Sequence, residues 1–221
     1  MTAGRLTIRT FTSDAFGQNA YLVQCAATGD CVAIDPGGAA AALADAVEEA
    51  GATLRAIVLT HAHLDHIEGV ADLIERIAAP IYLHPADRPL YDAAVDQARM
   101  FGYEFPPPPP ADGELQPGED VRFGECRLEV RHAPGHSPGH VILYSPEAGV
   151  AFVGDVVFTG SIGRTDLPGG NYAQLMTSIR EQVLTLPDDT RLYSGHGPAT
   201  TVGRERVSNP FLTPDHPGRR A

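Results

Sequence analysis

A histidine-rich segment at residues 60–66 lies between a predicted buried strand and a predicted amphipathic helix, and this arrangement constrains the fold most strongly. The strand covers residues 55–60, a near-continuous apolar run of the kind that is covered on both faces of a sheet. The helix is indicated by apolar residues that recur at helical spacing from Ile67 to Ile77, and Pro80 ends it. The sequence therefore predicts a loop with several ionisable side chains at the carboxyl end of a buried strand.

The histidine-rich segment has the spacing of a metal site. His61 and His63 are two residues apart in an extended stretch, so their side chains point the same way and reach one ion. Asp65 and His66 begin the helix and point differently, so they suit a second, adjacent ion. Imidazole and carboxylate ligands together fit zinc, iron or manganese better than calcium. A polar loop with coincidental histidines is the alternative, and the position directly after a strand argues against it.

Three more ionisable residues follow predicted strands. His136 lies in a tight Pro/Gly loop, Asp155 ends an apolar run, and His196 follows a short strand. Each of them alone is better explained as a structural residue with a satisfied hydrogen bond. Because all three follow the carboxyl ends of strands, together they are expected at one edge of the sheets, where open α/β folds bind ligands. His132 and His140 flank the His136 loop and are interpreted as structural residues or as hydrogen-bond partners of the ligands.

The order of the predicted elements indicates a single α/β domain. Strands cluster early and late in the 221 residues, with helices between and after them, which favours two mixed β-sheets covered by helices in four layers. Hydrophobic residues make up 43% of the chain and charged residues 20%, which fits a packed core of this kind. No repeat or long linker divides the chain. Residues 1–209 are therefore expected to form one domain and residues 210–221, rich in Pro, Gly and Arg, a short frayed tail.

Charge and cysteine content argue against several classes of protein. The 16 Lys and Arg against 28 Asp and Glu give a net charge of −12, which argues against nucleic-acid binding. No apolar run approaches the roughly 18 residues that a membrane span needs. The first residues lack the apolar stretch of a signal peptide, so a cytoplasmic protein is expected. Cys25, Cys31 and Cys126 have no metal-type spacing and are interpreted as small buried hydrophobic residues, and the prolines at 106–110 predict a rigid surface segment.

The seven candidate ligands, in this order and with these flanking residues, resemble the complete ligand set of the metallo-β-lactamase-fold hydrolases. The resemblance covers nearly the whole chain and implies an αββα sandwich with a catalytic domain over residues 1–209. It also implies two divalent metal ions, with zinc expected first and iron or manganese as alternatives. The first ion would be held by His61, His63 and His136, the second by Asp65, His66 and His196, and Asp155 would bridge them.

Within that superfamily the chain resembles the glyoxalase II-like thioester hydrolases, especially a short, single-domain bacterial branch. The likeness rests mainly on residues 160–170 and on the Gly-His-Gly-Pro sequence of residues 195–198. It implies cleavage of a small-molecule thioester such as S-D-lactoylglutathione by a hydroxide between the two ions, with Asp65 and Asp155 as catalytic residues. Arg164 would bind the carboxylate of the substrate, and a solvated surface arginine is the alternative.

The sequence departs from full-length glyoxalase II at two points. Only 25 residues follow His196 in the 221-residue chain, so the helical C-terminal domain that helps to grip glutathione is expected to be missing. Asp166 stands in the place of a tyrosine that contacts the substrate. The hydrolytic centre is therefore predicted with its full set of ligands, whereas the identity of the thiol stays open.

Two further functions are alternatives. Iron-dependent persulfide dioxygenases resemble the chain through residues 163–166 and need a single Fe(II) with open coordination positions. The second-site residues Asp65, His66 and His196 are all present here, which favours two metals. A metal-binding protein without turnover is the third interpretation, and the complete ligand set argues against it. The oligomeric state is left open.

Overall fold

Two six-stranded mixed β-sheets form the centre of the computed structural model, which describes residues 5–100, 102–104 and 106–213. The first sheet contains the first six strands in the order in which they follow each other along the chain. Its pairs are antiparallel from the first strand to the third and parallel from the third to the sixth. These strands are β1 (Leu6–Thr12), β2 (Asn19–Cys25), β3 (Asp30–Ile34), β4 (Thr53–Val58), β5 (Ile81–Leu83) and β6 (Gly113–Glu114).

The second sheet is built from later strands, and a small hairpin accompanies it. The later strands are β7 (Asp120–Phe123), β8 (Cys126–His132), β9 (Val141–Ser145), β10 (Val150–Gly154), β11 (Val157–Phe158), β12 (Ser161–Ile162), β13 (Arg191–Ser194) and β14 (Thr200–Thr201). The order in the sheet is β14-β13-β10-β9-β8-β7, while β11 and β12 pair with each other. Strands β10 and β13 run parallel, and the other neighbours in this sheet run antiparallel.

Short helices cover the outer faces of both sheets. They are α1 (Ala40–Glu49), α2 (Leu64–Ile67), α3 (Val70–Arg76), α4 (Arg88–Asp92), α5 (Ala94–Met100), α6 (Tyr172–Ser178) and α7 (Val202–Ser208). Helix α6 continues as a π-helical turn over Ile179–Val183. Helices α1 and α3 pack on the first sheet, and α6 with its π-turn packs on the second.

Three apolar clusters separate the four layers. Within β4, Ile57 faces the cluster under α1 and α3, whereas its neighbour Val58 faces the cluster between the two sheets. Within β10, Phe152 faces the cluster between the sheets and Val153 faces the cluster under α6. Successive side chains of a strand point to opposite faces, so both sheets are covered on both sides. The predicted four-layer αββα arrangement is confirmed.

The single helix predicted from Ile67 to Ile77 is wrong. The segment forms two helices, α2 and α3, that are separated at Gly69. A side chain at Gly69 would overlap the backbone oxygen of Gly37 and crowd Ala40, so glycine permits a close approach of the chain to the start of α1. Tertiary packing therefore interrupts a local pattern that reads as one continuous helix.

Residues 210–213 are not frayed, in contrast to the tail prediction. Leu212 is 5% exposed and belongs to the cluster under α6, and its N–H donates to the carbonyl of Asn209 at 3.0 Å. The remainder of the predicted tail, residues 214–221, lies outside the described residues. Burial of the Leu212 side chain accounts for the order of this turn.

The cysteines and the proline segment agree with the sequence analysis. Cys25, Cys31 and Cys126 are free thiols buried in the apolar clusters. Residues 106–110 lie outside helices and strands, and the carbonyl of Pro109 accepts the hydroxyl of Tyr91 at 2.8 Å. Across the described part of the chain, no helix is long and apolar enough to span a bilayer. The cytoplasmic address stays a prediction.

Candidate metal centre

The seven predicted ligand residues meet at one edge of the two sheets. They arrive there on loops and on one helix start, each following a strand of the central sheets. The first four follow β4, with α2 beginning directly after His63. The other three follow β8, β10 and β13. Six of the seven fall into two groups within which all potential ligand atoms lie no more than 4.8 Å apart, namely His61, His63 and His136, and Asp65, His66 and His196. A third such group combines His61 and His66 with Asp35.

The first group consists of three histidine rings whose ring nitrogens converge. Nδ1 of His63 lies 2.8 Å from Nε2 of His136, and the centroid of the His61 ring lies 4.8 Å from the centroid of each of the other two rings. Nδ1 of His61 donates to the hydroxyl of Thr60 at 3.1 Å, and Nδ1 of His136 donates to the carbonyl of Arg164 at 2.8 Å. These hydrogen bonds leave Nε2 of both rings as a lone-pair donor for a cation.

The second group combines two imidazoles with a carboxylate. Nε2 of His196 lies 3.1 Å from Oδ2 of Asp65, and Nε2 of His66 lies 3.7 Å from the same oxygen. His196 is held by β2, because the side-chain amide of Asn19 donates to the carbonyls of Ser194 and Gly197 on either side. The short helix α2 thus carries Asp65 and His66 toward a histidine that comes from the other sheet.

Asp155 lies between the two groups. Its Oδ2 is 3.5 Å from Nε2 of His136 in the first group and 3.7 Å from Nε2 of His196 in the second. Its Oδ1 is 3.4 Å from Nε2 of His66. The N–H of Asp155 donates to Nε2 of His140 at 3.0 Å, so His140 is a hydrogen-bond partner of a candidate ligand, as the sequence predicted. One carboxylate therefore reaches donors of both groups.

Burial and the neighbouring carboxylates shift the pKa values of the candidate histidine ligands in opposite directions. Burial, aided by the other rings, lowers the pKa of His61 well below its usual value and that of His63 to about 3. Both rings are therefore neutral at pH 7. Burial also opposes a charge on His66 and His196, but the carboxylates around them prevail and raise the pKa of both rings.

The carboxylates of the site are held in their ionised form. Burial by itself would raise the pKa of Asp155, but His66, His136 and His196 outweigh it and hold that pKa well below the usual range. Burial likewise disfavours the charge of Asp65, and the neighbouring imidazoles lower its pKa nevertheless. Ionised carboxylates and neutral imidazoles are the protonation states that bind a metal ion.

Besides their protonation states, the candidate ligands have buried polar atoms without hydrogen-bond partners, which also fits a metal site. Four buried atoms of the candidate ligands have no hydrogen-bond partner, namely Nε2 of His61, His63 and His66 and Oδ1 of Asp155. A buried polar atom without a partner costs free energy, and such atoms are rare in native proteins. Cations at the two groups would satisfy Nε2 of His61 and His66 and Oδ1 of Asp155, whereas His63 presents its Nδ1 to the first group. The nitrogen and oxygen donor set suits zinc, iron or manganese.

Sequence reasoning missed Asp35, which orients His66. Oδ2 of Asp35 accepts Nδ1–H of His66 at 2.9 Å and the hydroxyl of Thr60 at 2.6 Å, and its Oδ1 accepts the N–H of Thr60 at 2.7 Å. Asp35 is 2% exposed and has a positive φ of 48°. It follows β3 directly, so the strand-end argument that identified Asp155 would also have found it.

A cavity of about 240 Å³ opens over the centre, and Arg164 lines it. Phe16, Leu64 and Leu167 form apolar parts of its wall. The guanidinium of Arg164 forms two hydrogen bonds with the carboxylate of Asp166, at 2.7 and 2.8 Å, and both side chains are more than half exposed. Arg164 therefore lines the cavity over the candidate ligands, but its guanidinium is paired with a carboxylate of its own loop.

The comparisons with known proteins agree with this geometry. The model of the metallo-beta-lactamase superfamily matches residues 13–196. The probable metallo-hydrolase YqgX of Bacillus subtilis is 43% identical over 183 residues, which cover 82% of this chain and 87% of the relative. Hydroxyacylglutathione hydrolase GloC of Haemophilus influenzae is 40% identical over 205 residues, which cover 90% of this chain and 94% of that protein.

Solved structures share the whole fold. The BLEG-1 B3 metallo-beta-lactamase superposes with a TM-score of 0.87 at 40% identity, covering 94% of this chain and all of the other. TTHA1623 in a di-iron-bound form superposes with a TM-score of 0.84 at 44% identity, covering 92% of this chain and all of the other. ETHE1 from Myxococcus xanthus superposes with a TM-score of 0.78 at 27% identity, covering 93% of this chain and 84% of the other. With two sheets, four layers and a histidine- and aspartate-rich centre at their edge, the chain belongs to the metallo-beta-lactamase superfamily.

Proposed function

We propose that this chain is a dinuclear metal hydrolase that cleaves a thioester, such as S-D-lactoylglutathione, to a carboxylic acid and a thiol. The observation that carries the proposal is the position of Asp155, whose oxygens lie 3.4–3.7 Å from histidine nitrogens of both groups. A carboxylate in that position suits a bridge between two ions. We take zinc as the proposed metal, with iron or manganese as alternatives, and the di-iron form of TTHA1623 supports including iron in any test.

The chemistry divides between the ions and the side chains. Two divalent ions, when bound, supply a water of lowered pKa as nucleophile and polarise the carbonyl of the substrate. Asp65 is an ionised carboxylate that lines the cavity, so it would orient such a water by accepting a hydrogen bond from it. The rings of His61, His63 and His66 are buried, and His63 lines the cavity.

A thioester suits the side chains that line the cavity. A thiolate leaves without prior protonation, because the pKa of a thiol is only about 8.5. An amide, by contrast, requires a general acid for its amine. GloC of Haemophilus influenzae carries the name of a thioester hydrolase and is 40% identical to this chain, which supports this substrate class.

The second candidate is an iron-dependent persulfide dioxygenase. The sequence of residues 163–166 motivates it, and likeness to the ETHE1 structure extends over 93% of this chain. Such chemistry uses one Fe(II) with open positions. Asp65, His66 and His196 converge beside the first group. This favours the hydrolase, because a mononuclear enzyme requires only one set of metal ligands.

The test combines metal analysis with two assays on the purified full chain. We expect two metal equivalents per chain and loss of thioester absorbance with S-D-lactoylglutathione. Asp155→Ala is expected to lose metal and turnover, because it removes the carboxylate that reaches both groups. One iron per chain together with oxygen uptake on glutathione persulfide would replace the hydrolase with the dioxygenase. Two equivalents without turnover of any thioester would contradict the proposed substrate class.

A further inference from the structure

Asp87 is buried between two ligand-bearing loops, although it is not itself a candidate ligand. It ends the 3-10 turn Pro85–Asp87 that follows β5, and it is 0% exposed. Its Oδ2 accepts the N–H of Ala62 at 3.1 Å and the hydroxyl of Ser137 at 2.7 Å. Its Oδ1 accepts the N–H of Gly139 at 2.5 Å. The carboxylate thus joins three donors from two separate parts of the chain.

These donors lie beside the ligands of the first group. Ala62 stands between His61 and His63, and Ser137 directly follows His136. At these positions the loop after β4 and the loop after β8 lie outside helices and strands, and one backbone hydrogen bond joins their ends, from the N–H of Val141 to the carbonyl of Thr60 at 2.8 Å. The hydrogen bonds of Asp87 add a side-chain link beside the ligands themselves.

We infer that Asp87 is the positioning residue of the first metal group: its carboxylate sets the separation of the His61–His63 loop from His136 and thereby the affinity of that group for a metal ion. The inference rests on the proposed function only in requiring that these histidines bind metal. Asp35 holds the corresponding position for the second group through His66. Asp35 also accepts the hydroxyl of Thr60, to which His61 donates, so it supports both groups, whereas the contacts of Asp87 join the loops that carry the first group.

Asp87→Asn is the informative substitution because it keeps the shape of the side chain. An amide has one acceptor oxygen and a donor NH₂ group, so the NH₂ group must face at least one of the three donors. That contact is repulsive, and the two loops separate. Loss of an interaction behind the ligands typically weakens metal binding by about 10–100-fold.

Glu205 provides a matched control elsewhere in the chain. It is also 0% exposed and accepts three hydrogen bonds, from the N–H of Gly160, the hydroxyl of Thr200 and the amide of Asn209. Glu205→Gln therefore makes the same chemical change in a buried carboxylate that touches no ligand of either group. It separates a general loss of stability from a specific effect on metal binding.

The experiment measures zinc affinity by competition with a chromophoric chelator in two backgrounds. His196→Ala removes a ligand of the second group only, and His136→Ala removes a ligand of the first group only. We expect Asp87→Asn to weaken zinc binding about 10–100-fold in the His196→Ala background and to leave it unchanged in the His136→Ala background. Glu205→Gln is expected to lower Tm without changing either affinity.

Equal zinc affinity with and without Asp87→Asn in the His196→Ala background would overturn the inference and leave the proposed function standing. Equal weakening in both backgrounds, matched by Glu205→Gln, would show that Asp87 is merely structural. Failure of the wild-type chain to bind zinc, iron or manganese would overturn both. Where Asp87→Asn does not fold, Ser137→Ala removes one of the three donors, and we expect a smaller weakening confined to the first group. No change in that variant would also refute the inference.

Discussion

Gly195→Ala tests the geometry of the centre most directly. A Cβ atom at this position would lie 2.7 Å from Cε1 of His66 and closer still to Oδ1 of Asp155. Ordinary contact begins at 3.4 Å, so His66 has to move by about 0.7 Å and Asp155 by more. Metal–ligand distances tolerate deviations of only about 0.2 Å. A misplacement of about 1 Å can cost about 100-fold in rate.

We therefore expect Gly195→Ala to lose at least one metal equivalent and to lower kcat/KM for the thioester about 100-fold or more. The assay is metal content per chain after gel filtration in metal-free buffer, measured beside steady-state kinetics. Metal content is the primary readout because it does not depend on the identity of the substrate.

Gly197→Ala is the control for this prediction, two residues further along the same loop. No heavy atom lies within 4 Å of its added Cβ, but its φ of +73° is unfavourable for alanine. It is expected to cost about 1–2 kcal/mol of folding free energy and to keep both metals. Wild-type metal content and activity in Gly195→Ala would refute the assignment of Asp155 and His66 as ligands.

Two further predictions concern charged neighbours of the centre. Asp35→Asn removes an acceptor oxygen that serves both His66 and the hydroxyl of Thr60, to which His61 donates. We expect metal affinity of the second group to fall about 10–100-fold, and unchanged affinity in a metal titration would contradict the role of Asp35. Asp166→Asn releases the guanidinium of Arg164 and is expected to lower KM for a thioester that bears a carboxylate, by less than about fivefold because an exposed ion pair is weak. KM for a neutral thioester should stay the same, and an equal change for both substrates would exclude Arg164 as the carboxylate contact.

The parts of the fold that sequence could predict are those set by local pattern. The apolar run before His61 identifies a strand that is covered on both faces, and the structure places Ile57 and Val58 in two different cores. Candidate ligands were found from the spacing of residues 61–66, from the rule that ionisable residues at strand ends gather at a common edge, and from the family resemblance. Two residues in extended spacing, such as His61 and His63, reach one point in space because of strand geometry alone.

What sequence could not predict depends on contacts between distant segments. Gly69 divides the predicted helix because the backbone of Gly37 approaches it, and neither position signals this locally. Asp87 has no signal in its own neighbourhood, since its three donors come from residues 62, 137 and 139. Arg164 and Asp166 are only two residues apart, yet their pairing requires a particular loop conformation that no local pattern indicates.

The carboxylates of the centre decide where protons and metal ions compete for its histidines. Asp65 and Asp155 face the ligand nitrogens, and Asp35 and Asp87 support the rings or the loops from behind. Neighbouring imidazoles lower the pKa of Asp65 and Asp155, so these two carboxylates carry charge that divalent ions would neutralise. Buried charge is tolerated only where it is compensated. Asp65 and Asp155 in turn raise the pKa of His66 and His196, so protons on these rings compensate part of that charge. Protons and metal ions therefore compete for His66 and His196, whereas burial keeps His61 and His63 neutral and available to a metal ion.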